Sequence, residues 1–152
     1  MAMSHGRKLY FAVSTPSAGA MAAISAYTME VTGLPGEQDL NDITIAGNVG
    51  YSQYPGLQKA SFSSKHIMDV SSTAITAWDK FAAFQSLQQS YPTTPWGIQF
   101  GPAGSTAALP LITCNAMIKS LSGPSKVTDV NTFTVNWEMS AGTSGITVGT
   151  VT

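Results

Sequence analysis

A chain of 152 residues has the size of one domain and is long enough to close a core. Only 10% of it is charged, against roughly a quarter in ordinary soluble domains, and 18 serines and 17 threonines supply the missing polarity. A net charge of −1 with seven scattered cations excludes a basic nucleic-acid footprint, and the single cysteine, Cys114, excludes an internal disulfide framework. So thinly charged a surface does little to hold copies of the chain apart, so self-association is expected.

Residues 1–6 read as a loose end. Arg7-Lys8 before the charge-free run Leu9–Met29 imitates a secretion leader, but Ser14-Thr15-Pro16-Ser17 cuts the apolar block to Leu9–Val13. That block is also far short of the ~20 apolar residues of a membrane span. It reads better as part of a first strand, Lys8–Val13. Ser17–Ser25 is rich in small residues and is expected to be a loop with at most one helical turn. In Tyr27–Thr32, Tyr27, Met29 and Val31 alternate with Thr28, Glu30 and Thr32, a strand pattern. Gly33-Leu34-Pro35-Gly36 then signals a turn.

Residues 33–55 form a long, acidic excursion. Glu37, Asp39 and Asp42 cluster in it, followed by Gly47, Gly50, Tyr51 and Tyr54. The expectation is a solvated loop or a long exposed hairpin, and contact with another copy is the natural job for one of this length. Its carboxylate spacing matches no EF-hand loop. Tyr54-Pro55-Gly56 reads as a tight turn into a strand ending at Met68. On Lys59–Met68, Ala60, Phe62, Ser64, His66 and Met68 share one face, with Ser61, Ser63, Lys65 and Ile67 on the other.

Asp69 and Ser71-Ser72 offer a carboxylate and a hydroxyl cap to the one long helix, expected over about residues 72–89. Ala74, Ile75, Ala77, Trp78, Phe81, Ala82, Phe84 and Leu87 leave only a narrow polar strip of Thr76, Asp79, Lys80 and Ser86. A helix covered on one side shows a wider polar arc, so this one is expected to touch both its own sheet and a neighbouring subunit. Pro92 ends it. Trp96–Gly101 is a strand with Trp96, Ile98 and Phe100 facing one way, and 102–106 a turn. In the long strand Leu109–Leu121, Ile112, Cys114, Ala116 and Ile118 form the buried face. Thr113, Asn115, Met117 and Lys119 form the outer one. After a connection at Gly123-Pro124-Ser125, the strand Val130–Met139 puts Phe133, Val135, Trp137 and Met139 inward. Residues 140–152 end in a strand or arm, Ile146–Val151, whose uncharged, threonine-rich edge suits pairing with another chain. Short strands and one helix together predict a mainly β domain with that helix lying across a sheet.

Catalytic chemistry finds no footing. Two histidines and one cysteine make no zinc set of usual spacing, and His66 and Cys114, on buried strand faces, read as packing residues. Residues 101–106 lack the lysine of a phosphate loop, and 142–145 lack the glycines of a nucleophile elbow. No enzyme activity, cofactor or metal is expected.

The order of these elements resembles the tail tube (major tail) proteins of long-tailed, non-contractile bacteriophages. The matching run is the strand Tyr27–Thr32, the acidic excursion and Pro55-Gly56-Leu57 into Lys59–Met68. It continues with the helix carrying Trp78, Phe81 and Phe84, Pro95-Trp96-Gly97-Ile98-Gln99-Phe100, the loop holding Asp129, and Thr132–Met139. The resemblance implies a single tail-tube domain over 1–152, a β-sandwich or barrel with one flanking helix. Six copies would close into a ring with a shared barrel lumen, and rings would stack into a tube that passes double-stranded DNA. Residues 33–55 would form the inter-ring loop and 140–152 the terminal arm. Candidate lumen residues are Ser61, Ser63 and Lys65, or Thr132, Thr134, Asn136 and Glu138. Candidate inter-subunit residues are Glu37, Asp39, Asp42, Tyr51, Tyr54, Trp78, Phe84, Ile146 and Val148. Partners would be the chain itself, proteins at the tube ends and a tape-measure protein in the lumen. The location would be the virion, with assembly in the host cytoplasm. A tube protein of a contractile tail, tail-like bacteriocin, gene-transfer particle or secretion system is the alternative on the same fold. An extracellular β-sandwich binding module is a third reading.

Overall fold

The computed structural model describes residues 9–17, 19–42, 50, 53–59, 61–68, 77–123, 131–140 and 145–152. Alternation of apolar and small polar residues builds the strands β1 (Tyr10–Ser14), β2 (Ala22–Ala23), β3 (Thr28–Thr32), β4 (Glu37–Asp42), β5 (Gln53–Lys59) and β6 (Ser61–Ile67). It likewise builds β7 (Trp96–Gly101), β8 (Pro110–Ser122), β9 (Thr132–Met139) and β10 (Thr147–Thr150). Two helical pieces, α1 (Ala77–Phe81) and α2 (Phe84–Ser90), lie between β6 and β7. Among the described residues the fold is mainly β with one flanking helical segment, as the sequence predicts.

The main sheet runs β2-β1-β7-β8-β9-β6-β3, all antiparallel, with β10 on β8. Its two end strands, β2 and β3, are neighbours in sequence, joined through Ile24 and the 3-10 turn Ser25–Tyr27. Laid flat, seven strands at ~4.8 Å spacing would hold those ends about 29 Å apart, but five peptide steps reach only about 17 Å. The sheet must therefore curl. Ring contacts agree: Phe11 of β1 and His66 of β6, four strands apart in the order, have ring centroids 5.6 Å apart. The result is a barrel-like roll whose inside is lined by Phe11, Val13, Ile98, Trp96, Phe133, Val135 and Trp137, all nearly inaccessible.

Helix α1 closes this interior. Phe81 is fully buried and its ring centroid lies 5.3 Å from His66, 5.6 Å from Trp96, 5.6 Å from Trp137 and 6.2 Å from Phe133. Trp78 packs edge-on to Phe133. From α2, Gln88 uses its amide as a strand residue would use its peptide group. The Ile118 N–H donates to Gln88 Oε1 (2.7 Å), Gln88 Nε2 donates to the Ile118 carbonyl (3.1 Å), and Trp96 Nε1 donates to the same Oε1 (3.0 Å). It serves the backbone of β8 just past Ala116, where β7 stops.

Three expectations change. Tyr54-Pro55-Gly56 is no turn: those residues lie within β5, and β5 runs to Lys59 with β6 beginning at Ser61. Strands β3–β4 and β5–β6 are the two sides of one long hairpin, paired Thr32↔Ser63 within the sheet and Glu37↔Lys59 beyond it. Pro55 is tolerated because, among the described residues, β5 pairs only with β4. Second, the helical segment breaks at Ala82-Ala83, and its expected start at 72–76 lies outside the described residues. The break serves two anchors, Phe81 in the core and Gln88 on β8. Third, the large apolar residues Trp78, Phe81, Phe84 and Leu87 all pack toward the subunit's own core, while Ala82, Ala83, Gln85, Ser86 and Gln89 are exposed. The described part of the helix thus lays its large apolar side chains on its own barrel and turns small and polar ones outward, a narrower apolar face than the sequence pattern implies.

The small-residue stretch before β3, expected to be loop, forms the short strand β2 against β1. The terminal strand also finds a partner within the chain. β10 pairs with β8 at Thr147↔Thr113 and Thr150↔Pro110, on the side opposite β7 and beyond the end of β9.

Candidate functional site

The residues of interest lie on the outside of the roll. Because side chains alternate along a strand, burying Phe62, Ser64 and His66 turns Ser61, Ser63 and Lys65 outward. Burying Phe133, Val135 and Trp137 does the same for Thr132, Thr134, Asn136 and Glu138. The register pairs Ser61↔Glu138, Ser63↔Asn136 and Lys65↔Thr134. The two sets expected as alternatives are therefore one continuous face.

Neighbouring strands widen it. From β3, Thr32 lies opposite Ser63 with their hydroxyls 2.8 Å apart, and Glu30 lies opposite Lys65. From β8, Asn136 Nδ2 donates to Ser120 Oγ (2.8 Å), and Lys119 Nζ donates to Glu138 Oε1 (3.3 Å). An open depression of about 410 Å³ is lined by Thr32, Ser61, Ser63, Lys119, Ser120, Asn136 and Glu138, with Gly33, Phe62 and Trp137 beneath. A second, of about 160 Å³, adjoins it at Glu30, Lys65 and Thr134.

Sequence reasoning missed Ser120, Ser122, Thr32 and Glu30 as members of this face. The cause on β8 is a register shift between Ile118 and Ser120. One extra residue inverts the in–out parity, so Ser120 and Ser122 turn outward opposite Asn136 and Thr134 while Leu121 turns inward opposite Val135. Thr32 and Glu30 could have been found from the pattern of Tyr27–Thr32, had its partner strand been known.

The arm beyond the sheet holds much of the second candidate set. Glu37, Asp39 and Asp42 lie on β4, which is exposed throughout. Asp39 takes an ion pair with Lys59 Nζ at 3.1 Å. Tyr54 lies on β5 and Tyr51 lies outside the described residues. Leu40 and Leu57 are 60% and 82% exposed, and Leu40 pairs with Pro55 across the arm. An isolated two-stranded hairpin is marginally stable in water. At its base, the Ile146 N–H donates to Gln58 Oε1 (3.0 Å), and Val148 lines an adjoining depression with Glu37 and Gln58. Trp78 and Phe84 do not join this group; they are half-buried against the core.

Inside the roll, chemistry is quenched. Thr28 donates its hydroxyl to the Ile24 carbonyl (3.0 Å), so it must accept from His66 Nδ1 (3.1 Å). Trp137 Nε1 donates to Ser64 Oγ (2.9 Å), leaving the Ser64 hydroxyl to donate to His66 Nε2 (2.8 Å). The ring is neutral, with its proton on Nδ1, and burial lowers its pKa to about 3. Burial likewise pushes the Cys114 thiol up to about 11, the reverse of what a nucleophile needs. Among the described residues no three His, Cys, Asp or Glu side chains converge as a metal cage, and no helix is long and apolar enough to cross a membrane.

No protein-family model and no curated protein matches the sequence. Solved structures do match. A chain from the tail of an empty gene transfer agent (GTA) particle with C6 symmetry gives a TM-score of 0.62 at 12% identity, covering 99% of this chain and 100% of that one. A chain from the anti-feeding prophage cap, which terminates the tube, gives 0.64 at 14% identity, with 99% and 93% covered. A chain from the sheath–tube complex of an extracellular contractile injection system (PVC), in its extended state, gives 0.63 at 16% identity, with 98% and 93% covered. The likeness is one of fold, and it takes in barrel, arm and helical segment together. This chain has the fold of phage-tail-like tube proteins.

Proposed function

We propose that the chain is a non-enzymatic structural subunit of a phage-tail-like particle, stacking as six-membered rings into a tube. The observation that carries the reading is the fold likeness over 98–99% of the chain to components of such particles. The neighbours' origins, an anti-feeding prophage, an extracellular contractile injection system and a gene transfer agent, favour a tube of those particle types over that of a long non-contractile phage tail.

In this reading the hydroxyl-rich face of β3, β6, β9 and β8 lines the lumen. The edge of β3 offers backbone groups to a neighbour in the ring, and a shared barrel would remove that open edge. The arm, with Leu40 and Leu57 bare, reaches the next ring, and burying those side chains there would stabilise the assembly by roughly 25 cal/mol per Å². The outer edge of β10, with Val148 63% exposed, is a second contact. Further tail proteins would cap the ends, and the lumen would hold its cargo, a genome or a protein payload.

Negative-stain microscopy of concentrated protein tests the assembly. Rings or tubes are expected, and a monodisperse monomer at high concentration would overturn the reading. In assembled tubes, Ser63→Cys should react with a small thiol reagent and resist one too bulky for the lumen, against a buried and inert Cys114. Equal labelling by both would remove the face from the lumen.

A further inference from the structure

The polar face carries four charges among its described residues, and they cancel across strands. Lys119 Nζ is 3.3 Å from Glu138 Oε1, and Lys65 is the register partner of Glu30, with both lining the same depression. The Lys119–Glu138 pair is well exposed, at 68% and 55% of the side chains. Such a pair adds little to stability, so its presence in a chain this poor in charge calls for another reason.

We propose that Glu30 and Glu138 are there to neutralise Lys65 and Lys119, so that the face lets a polyanion pass without holding it. This rests on reading the face as a lumen. The physical argument is counterion release: each uncompensated lysine that meets a phosphate frees a condensed cation and adds a salt-dependent increment of affinity. Two lysines per copy, repeated around a ring and along a tube, would turn a conduit into a trap. Glu138 already holds Lys119 in an ion pair, and Glu30 lies across the strand from Lys65, so a phosphate meets lysines whose charge is offset nearby. The surrounding hydroxyls and amides of Ser63 and Asn136 can exchange hydrogen bonds with water or phosphate at little net gain.

The test uses the soluble full chain and a fluorescein-labelled duplex of random sequence, read by anisotropy. Wild type should show no saturable binding. Glu30→Gln/Glu138→Gln should bind at about 50 mM salt and weaken about tenfold by about 200 mM, as two released counterions require. Adding Lys65→Gln/Lys119→Gln should abolish the gain. The proposal falls if the double variant binds no better than wild type, or if its gain survives loss of the lysines. It also falls if the double variant loses thermal stability and gains no affinity, because the carboxylates would then serve strand pairing. Because the duplex is offered to the free chain, this outcome is separate from the lumen reading, which the Ser63→Cys labelling of tubes decides.

Discussion

His66 joins β3 to β6 inside the barrel through Thr28 and Ser64, and it can do so only while neutral. In the unfolded chain it would titrate near 6.5, and in the fold burial lowers this to about 3. The unfolded state therefore takes up the extra proton between these values, and stability that is fully present above pH 6.5 is lost as pH falls toward 3. The expected slope is up to about 1.4 kcal/mol per pH unit. Chemical denaturation at pH 6.5 and 5, above the range where most carboxylates titrate, should show the fall, and His66→Phe should flatten it. Phe81 touches four rings, and Phe81→Ala should cost about 3–5 kcal/mol in the same measurement. Gln88→Leu keeps the bulk but strands the Ile118 peptide groups and the Trp96 indole, and should cost at least about 2 kcal/mol.

At the scale of elements, the long hairpin β3–β4/β5–β6 belongs half to the barrel and half to the arm. Its hinge is at Gly33, whose φ is +95°. A Cβ there would sit 2.7 Å from the Ser61 carbonyl and 3.0 Å from Phe62 Cα, so Gly33→Ala would push apart the strands where the arm leaves. Because β4 and β5 form their own two-stranded sheet, replacing residues 38–57 by a short Gly-Ser link should leave the barrel folded by circular dichroism. The same variant should fail to form tubes if the arm joins rings. Leu40→Ser/Leu57→Ser should give the milder version, with little change in monomer stability and a higher protein concentration needed for assembly. Unchanged assembly in both variants would exclude the arm as the inter-ring contact.

For the whole molecule, alternation in the sequence was enough to find most strands and their inward faces. Trp96, Ile98 and Phe100, Ile112 to Ile118, and Phe133, Val135 and Trp137 all lie inward as their spacing requires. A strand's period is local, and only a buried face can explain large apolar residues at every second position. The helical segment and the exposed acidic hairpin were legible for the same kind of reason. So was the inertness of Cys114 and His66, because each sits on the apolar side of its strand.

What the sequence could not determine was anything decided by pairing. The bulge at Lys119 brings Ser120 and Ser122 to the polar face, and nothing local marks it, since parity along β8 breaks only where β9 imposes its register. That Ser61, Ser63 and Lys65 share one face with Thr134, Asn136 and Glu138, and that each lysine there has a carboxylate across from it, follows from strand neighbours far apart in the chain. The extended course of β5 overrode the turn signal of Pro55-Gly56 because the partner strand β4 was there to hold it extended. The low charge of the chain already pointed to copies packed together. Where those few charges cancel is a property of the closed sheet alone.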